Sequence, residues 1–228
     1  MIIPVGSIVN AGAIIVGALI GTYFSRLFPD RIKTVVFQAL GMITLCLGIQ
    51  MFFKGTDPLP IILSLTLGGA IGEAVALEAK AEKFGNWLKR ILRSSDPRFT
   101  EGFVTAFMLY GIGSFVILGP LEEALTGSRA LLITKSTLDG VASIALASIY
   151  GIGVAFSSLP ILLIQGGLTL GAGQLQHFFT PYMLDQLVAV GGIMVVGIGL
   201  NILEVKKIKV ISFLPALGLS IIFSLMHF

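Results

Sequence analysis

ALLITKSTLDGVASIALASIYGIG, residues 130–153, decides how the rest of the chain is read. Apart from Lys135 and Asp139 it carries no charge. It is longer than the ~20 residues a helix needs to cross ~30 Å of hydrocarbon. The two charged side chains stand four residues apart and so share one helix face. Ionisable groups at such depth are costly and persist where they pair or line a polar cavity. Lys135, Ser136 and Asp139 therefore point to a pathway through the membrane.

The same pattern extends over the whole chain. Of the 228 residues, 55% are apolar and 12% charged, and the mean hydropathy is +0.98. A soluble domain carries about 25% charged residues. The apolar residues fall into runs of membrane-spanning length, with no strand-like alternation of a barrel. An all-α, polytopic helix bundle is expected, forming a single integral membrane domain over residues 1–228. Eight spans are read, at 5–24, 33–53, 59–77, 100–119, 130–151, 156–175, 185–203 and 210–226; a broken fourth would leave seven full crossings. Residues 1–4 lack a basic stretch, and no small-residue cleavage site follows, so the first span is expected to be retained.

The net charge of +3 does not mark a nucleic-acid binder. Arg26, Arg31 and Lys33 follow the first span. Lys80, Lys83, Lys89, Arg90, Arg93 and Arg98 follow the third, and Lys206, Lys207 and Lys209 the seventh. With an external N-terminus all of these face the cytoplasm, as the positive-inside rule requires, leaving Lys54 and Arg129 outside. Residues 78–93 alternate apolar and charged faces at helical spacing, with Trp87 at headgroup depth, and read as an interfacial amphipathic helix. Cys46, the sole cysteine, allows no internal disulfide.

Gly41 and Gly48 stand seven residues apart and lead to Gln50; Gly192 and Gly199 repeat that spacing and lead to Asn201. Asn10-Ala-Gly12 is echoed more weakly by Gln165-Gly-Gly167. The charge-derived topology runs the matched spans in opposite directions, so the echo predicts inverted repeats over 5–77 and 156–226. Gly17-xxx-Gly21, Gly68-xxx-Gly72 and Gly167-xxx-Gly171 offer flat faces for helix packing.

Further polar groups are candidates for the pathway. Asn10 and Gln165 carry carboxamides that can bond between helices or coordinate a dehydrated ion. Ser114 lies in a glycine-rich stretch, Tyr110-Gly111-Ile-Gly113, that is expected to interrupt the fourth span and face Lys135 and Asp139. Glu73 near the inner end of span three is a candidate gate, and Glu122 and Glu123 after Gly119-Pro120 a candidate external vestibule for cations. Asp139 would ligate Na⁺ or a proton, with Lys135 as its counter-charge or as a contact for an anion. A structural ion pair is the competing reading. His177 and His227 lack metal-ligand spacing, and no hydrolase or nucleotide motif is present, so no enzyme and no cofactor beyond a coupling Na⁺ or H⁺ is expected.

The chain resembles the bacterial YdfK/YqgA membrane proteins, a domain-of-unknown-function family described as candidate transporters. The resemblance covers essentially the whole chain. It rests on Asn10, Gln38-Ala-Leu-Gly41, Gly68-xxx-Gly72-Glu73, Gly113 with Ile117-Leu-Gly119, Lys135-Ser136-xx-Asp139-Gly140, Gln165-Gly166, Gly191-Gly192 and Leu214-Pro215. Leu109-Tyr110 stands where the family pattern has a Phe-Cys-like pair. The resemblance implies an inner-membrane, oligomeric protein, and supplies no substrate. Together these readings predict a secondary transporter or ion-coupled permease for a small solute or ion. Its pathway would be bordered by spans one, four, five and six, and it would act within the lipid bilayer as a homo-oligomer, a dimer in the simplest case. An ion channel and a non-transporting scaffold or assembly protein are the alternatives.

Overall fold

The computed structural model describes residues 3–25, 29–111, 114–175 and 180–225. Among these the regular structure is helical throughout. The order is α1 (Val5–Phe24), α2 (Asp30–Phe52), α3 (Pro58–Ala74), α4 (Leu77–Ile91), α5 (Phe99–Gly111), α6 (Ser114–Thr126), α7 (Ala130–Tyr150), α8 (Gly153–Phe156), α9 (Ser158–Leu175), α10 (Pro181–Ile202), a 3-10 turn (Val210–Phe213) and α11 (Leu214–Leu225).

Local chemistry sets several boundaries. Asp57 and Thr180 accept hydrogen bonds from Leu59 N and Met183 N at the starts of α3 and α10. In each case a proline follows the cap, where its missing N–H costs nothing. Gly151 ends α7 at φ 73°, a left-handed conformation that glycine adopts freely.

Among the described residues five helical stretches are long and apolar enough to cross a membrane, or up to seven if each of two helix pairs bent by 58° is one span. The last expected span, 210–226, is described as far as Leu225. Among the described residues Val210–Phe213 form a 3-10 turn and Leu214–Leu225 form α11, together a shorter apolar stretch than the helices above. Pro215, in the first turn of α11, supplies no N–H to extend the helix backward. The fourth span is broken as anticipated: α5 ends at Gly111, α6 begins at Ser114, and the two meet at 58°. The bend of α4 from α3, also 58°, sets the charged helix apart from the apolar one, with Trp87 and Phe84 stacked and half-exposed.

The chain packs as two compact units. The first comprises Met1–Phe37, Phe84–Gly111 and Phe115–Phe178. Here α1 lies on α7, with Gly17 against the Gly140 carbonyl and Gly21 against that of Ile144. The absence of Cβ atoms lets the two backbones touch. Ile14, Ala18, Leu132, Leu146 and Ile161 fill this core.

The second unit comprises Gln38–Lys83, Ile112–Ser114 and Phe179–Phe228. Gly48 on α2 meets Gly192 on α10, while Gly199 receives Leu45 and Gly41 receives Leu203. On the next pair of helices Gly68 faces Ala216 and Gly72 faces Ser212. Ile61, Ala189, Val190 and Ala216 form the buried apolar cluster between α3, α10 and α11. The first two small-residue faces are thus internal packing surfaces. Gly167, in the third, has nothing within 4 Å of where a Cβ would sit. The segments matched as inverted repeats lie against each other: α2 on α10, α3 on α11 and, in the first unit, α1 on α9.

Candidate functional site

Three helices of the first unit bring four polar side chains into one buried cluster. Lys135 Nζ lies 2.6 Å from Asp139 Oδ2, an i,i+4 pair on α7. From α1, Asn10 Nδ2 donates to the same Asp139 oxygen at 3.1 Å and to Gln165 Oε1 on α9 at 3.2 Å. Asn10 and Gln165 are fully buried, and Lys135 and Asp139 retain only 6% and 7% of their surface. The cluster has a local origin. Lys135 and Asp139 lie on the side of α7 that faces α1, and Gly17 and Gly140 let that helix pair close.

Hydrogen-bonding capacity remains unused. Asn10 Oδ1 and Gln165 Nε2 are buried without a partner. Leaving such atoms unpaired costs about 1–3 kcal/mol each. The Asn10 amide cannot simply be reversed, because its oxygen would then face the Asp139 carboxylate.

The polar stripe continues one turn beyond Asp139. Ser143 Oγ shares a 2.7 Å hydrogen bond with the hydroxyl of Tyr110, which is buried at the end of α5, next to the break. Tyr110 enters the sequence reading as part of the glycine-rich stretch and of the Leu109-Tyr110 pair, not as a site candidate, and Ser143 not at all. The signal for the pair is the repeat of Lys135, Asp139 and Ser143 at intervals of four.

The remaining candidates separate from this cluster. Ser136 is buried, and its hydroxyl donates to the Leu132 carbonyl one turn back. The side chain of Ser114, together with Gly113, His177 and His227, lies outside the described residues. Glu73 belongs to the second unit, exposed and paired with Lys209, and also accepts from Ser212. That hydrogen bond with Glu73, reinforced by charge, holds the Lys209 ammonium above the ordinary lysine range.

Glu122 and Glu123 act as helix caps. Glu122 accepts from Ser128 Oγ and from Leu131 N at the start of α7. Glu123 is 4% exposed. Its Oε1 accepts from Gly6 N at the start of α1 and from Arg129. Negative charge at a helix N-terminus is favourable, which gives both carboxylates a structural use. Of the two candidate vestibule carboxylates, Glu123 is buried and Glu122 half-buried.

Helices of spanning length, glycine-mediated contacts and buried ionisable groups define a polytopic helical membrane protein. The chain belongs to the family described as "Protein of unknown function (DUF554)", which matches residues 5–225. It is 35% identical over 216 residues to "Uncharacterized membrane protein YdfK" of Bacillus subtilis (strain 168), covering 93% of this chain and 92% of that protein. It is 30% identical over 223 residues to "Uncharacterized protein YqgA" of Escherichia coli (strain K12), covering 95% and 94%. No solved structure matches.

Proposed function

We propose that this protein is a secondary transporter that moves a small solute across the cytoplasmic membrane, with its N-terminus outside. The observation that supports this most is the buried cluster of Lys135, Asp139, Asn10 and Gln165. A charge pair in this setting is retained at a cost in desolvation. It joins three helices, two of which belong to the proposed inverted repeats. Transport sites of inverted-repeat proteins lie at such positions. The broken fourth span, pinned through Tyr110 to Ser143, adds a discontinuous helix beside the same stripe.

One observation favours a second reading. The 2.6 Å contact of Lys135 with Asp139 would also serve a static clamp in a scaffold that carries nothing.

The two readings differ in ligand response. Purified protein in lipid nanodiscs would be screened for thermal stabilisation by ions and small solutes, with Asp139→Asn and Lys135→Met as comparisons. Ligand binding to the native state raises apparent stability. The transporter reading expects a stabilising ligand whose effect changes in both variants. A wild type that responds to nothing, or variants that respond as the wild type does, would support the clamp. Saturable counterflow in proteoliposomes would separate a carrier from a channel.

A further inference from the structure

We infer that the Lys135–Asp139 cluster takes a net-neutral polar solute carrying both a hydrogen-bond donor and an acceptor, rather than a lone ion. This names the ligand class of the transport site proposed above and rests on that reading.

Charge carries the first half of the argument. One ammonium and one carboxylate leave the cluster formally neutral. A lone cation drawn to Asp139 would sit beside Lys135, whose nitrogen is 2.6 Å from the carboxylate. A lone anion drawn to Lys135 would meet Asp139. Either would carry an uncompensated charge into a site shielded from water, where isolated charge is heavily penalised. Among the described residues no three His, Cys, Asp or Glu side chains converge as a metal site.

Hydrogen bonding carries the second half. Within the cluster the two buried atoms without a partner are of opposite kinds: Asn10 Oδ1 can only accept and Gln165 Nε2 can only donate. Both belong to fully buried residues linked to each other and, through Asn10, to Asp139. A bare cation satisfies only the first, and a bare anion only the second. A solute with a donor and an acceptor satisfies both without changing the net charge. Two kinds of molecule share this chemistry, a zwitterion such as an amino acid and an uncharged amide.

The test measures thermal unfolding of the protein in nanodiscs against five probes: alanine, acetamide, sodium, methylammonium and acetate. For the wild type, alanine or acetamide should bind at least about tenfold more tightly than any singly charged probe, read from the concentration dependence of the shift. Which of the two prevails distinguishes a zwitterion from an uncharged amide. Lys135→Met leaves a net negative site and should gain response to methylammonium or sodium. Asp139→Asn should gain response to acetate. Gln165→Met keeps the ion pair, so it should weaken the neutral probe with no gain for charged ones, and it serves if the charge variants do not fold. Preference of the wild type for a charged probe overturns this inference and leaves the transport reading standing. Silence of wild type and variants to all five probes overturns both.

Discussion

Gly48 and Gly192 are mutually fitted: a Cβ built on Gly48 falls 2.7 Å from the Gly192 carbonyl oxygen, and one on Gly192 falls 2.6 Å from that of Gly48. Because backbone, and not a flexible side chain, receives the clash, the helices must separate to admit even a methyl group. Gly48→Ala and Gly192→Ala should each destabilise by about 1–3 kcal/mol, the usual cost of overpacking. Gly167→Ala meets open space and should be neutral or gain up to about 1 kcal/mol of helix propensity. Unfolding midpoints in one detergent check the contrast.

Lys135 and Asp139 should show strong coupling. Removing either partner leaves a buried charge unpaired, so Lys135→Met or Asp139→Asn should cost about 3–5 kcal/mol, while the double variant costs much less than their sum. Equal, additive losses in a double-mutant cycle would mean that the two groups do not depend on each other.

Tyr110→Phe and Ser143→Ala each remove one side of a buried hydrogen bond. Each should lower stability by about 1–3 kcal/mol because the other hydroxyl is left unpaired, with the double variant near the single ones. If the pair steadies the broken helix, protease or hydrogen-exchange protection near Gly111 should fall in both variants.

Glu123→Ala should weaken the start of α1 by about 1–2 kcal/mol, the range for loss of a helix cap. Hydrogen exchange at the first turn of α1 should rise with it. Glu73→Gln, which breaks an exposed pair with Lys209, should leave the unfolding midpoint unchanged within error, because solvent screens such contacts.

Much of this organisation is legible in the chain because membrane depth penalises polar groups. Lys135 and Asp139 stand out against apolar neighbours at helical spacing, and Asn10 and Gln165 stand out as carboxamides in glycine-rich spans. The glycine spacing around Gly48 and Gly192 reads as a repeat, and the contact between the two is visible only in the fold. What stays hidden depends on partners distant in sequence. Glu123 reads as a surface acid until Gly6, 117 residues away, turns out to be its partner. Tyr110 and Ser143 are ordinary residues for a membrane helix, and only their mutual approach distinguishes them. Hydropathy alone does not register that the last apolar segment starts as a 3-10 turn before Pro215.

The most direct measurement is the reach of water to the cluster. In a Cys46→Ser background, Gln165→Cys would be exposed in proteoliposomes to a membrane-impermeant thiol reagent applied from either side. A second variant, Leu170→Cys, places a thiol on the exposed face of the same helix and serves as the control, with no effect of solute on its labelling. A transporter must open the buried position during its cycle, so the account predicts that Gln165→Cys is labelled from at least one side, and more slowly in the presence of the solute that stabilises the wild type, supplied in enough excess to offset the weaker binding expected without the Gln165 amide. Complete protection of Gln165→Cys from both sides, with and without solute, would contradict it.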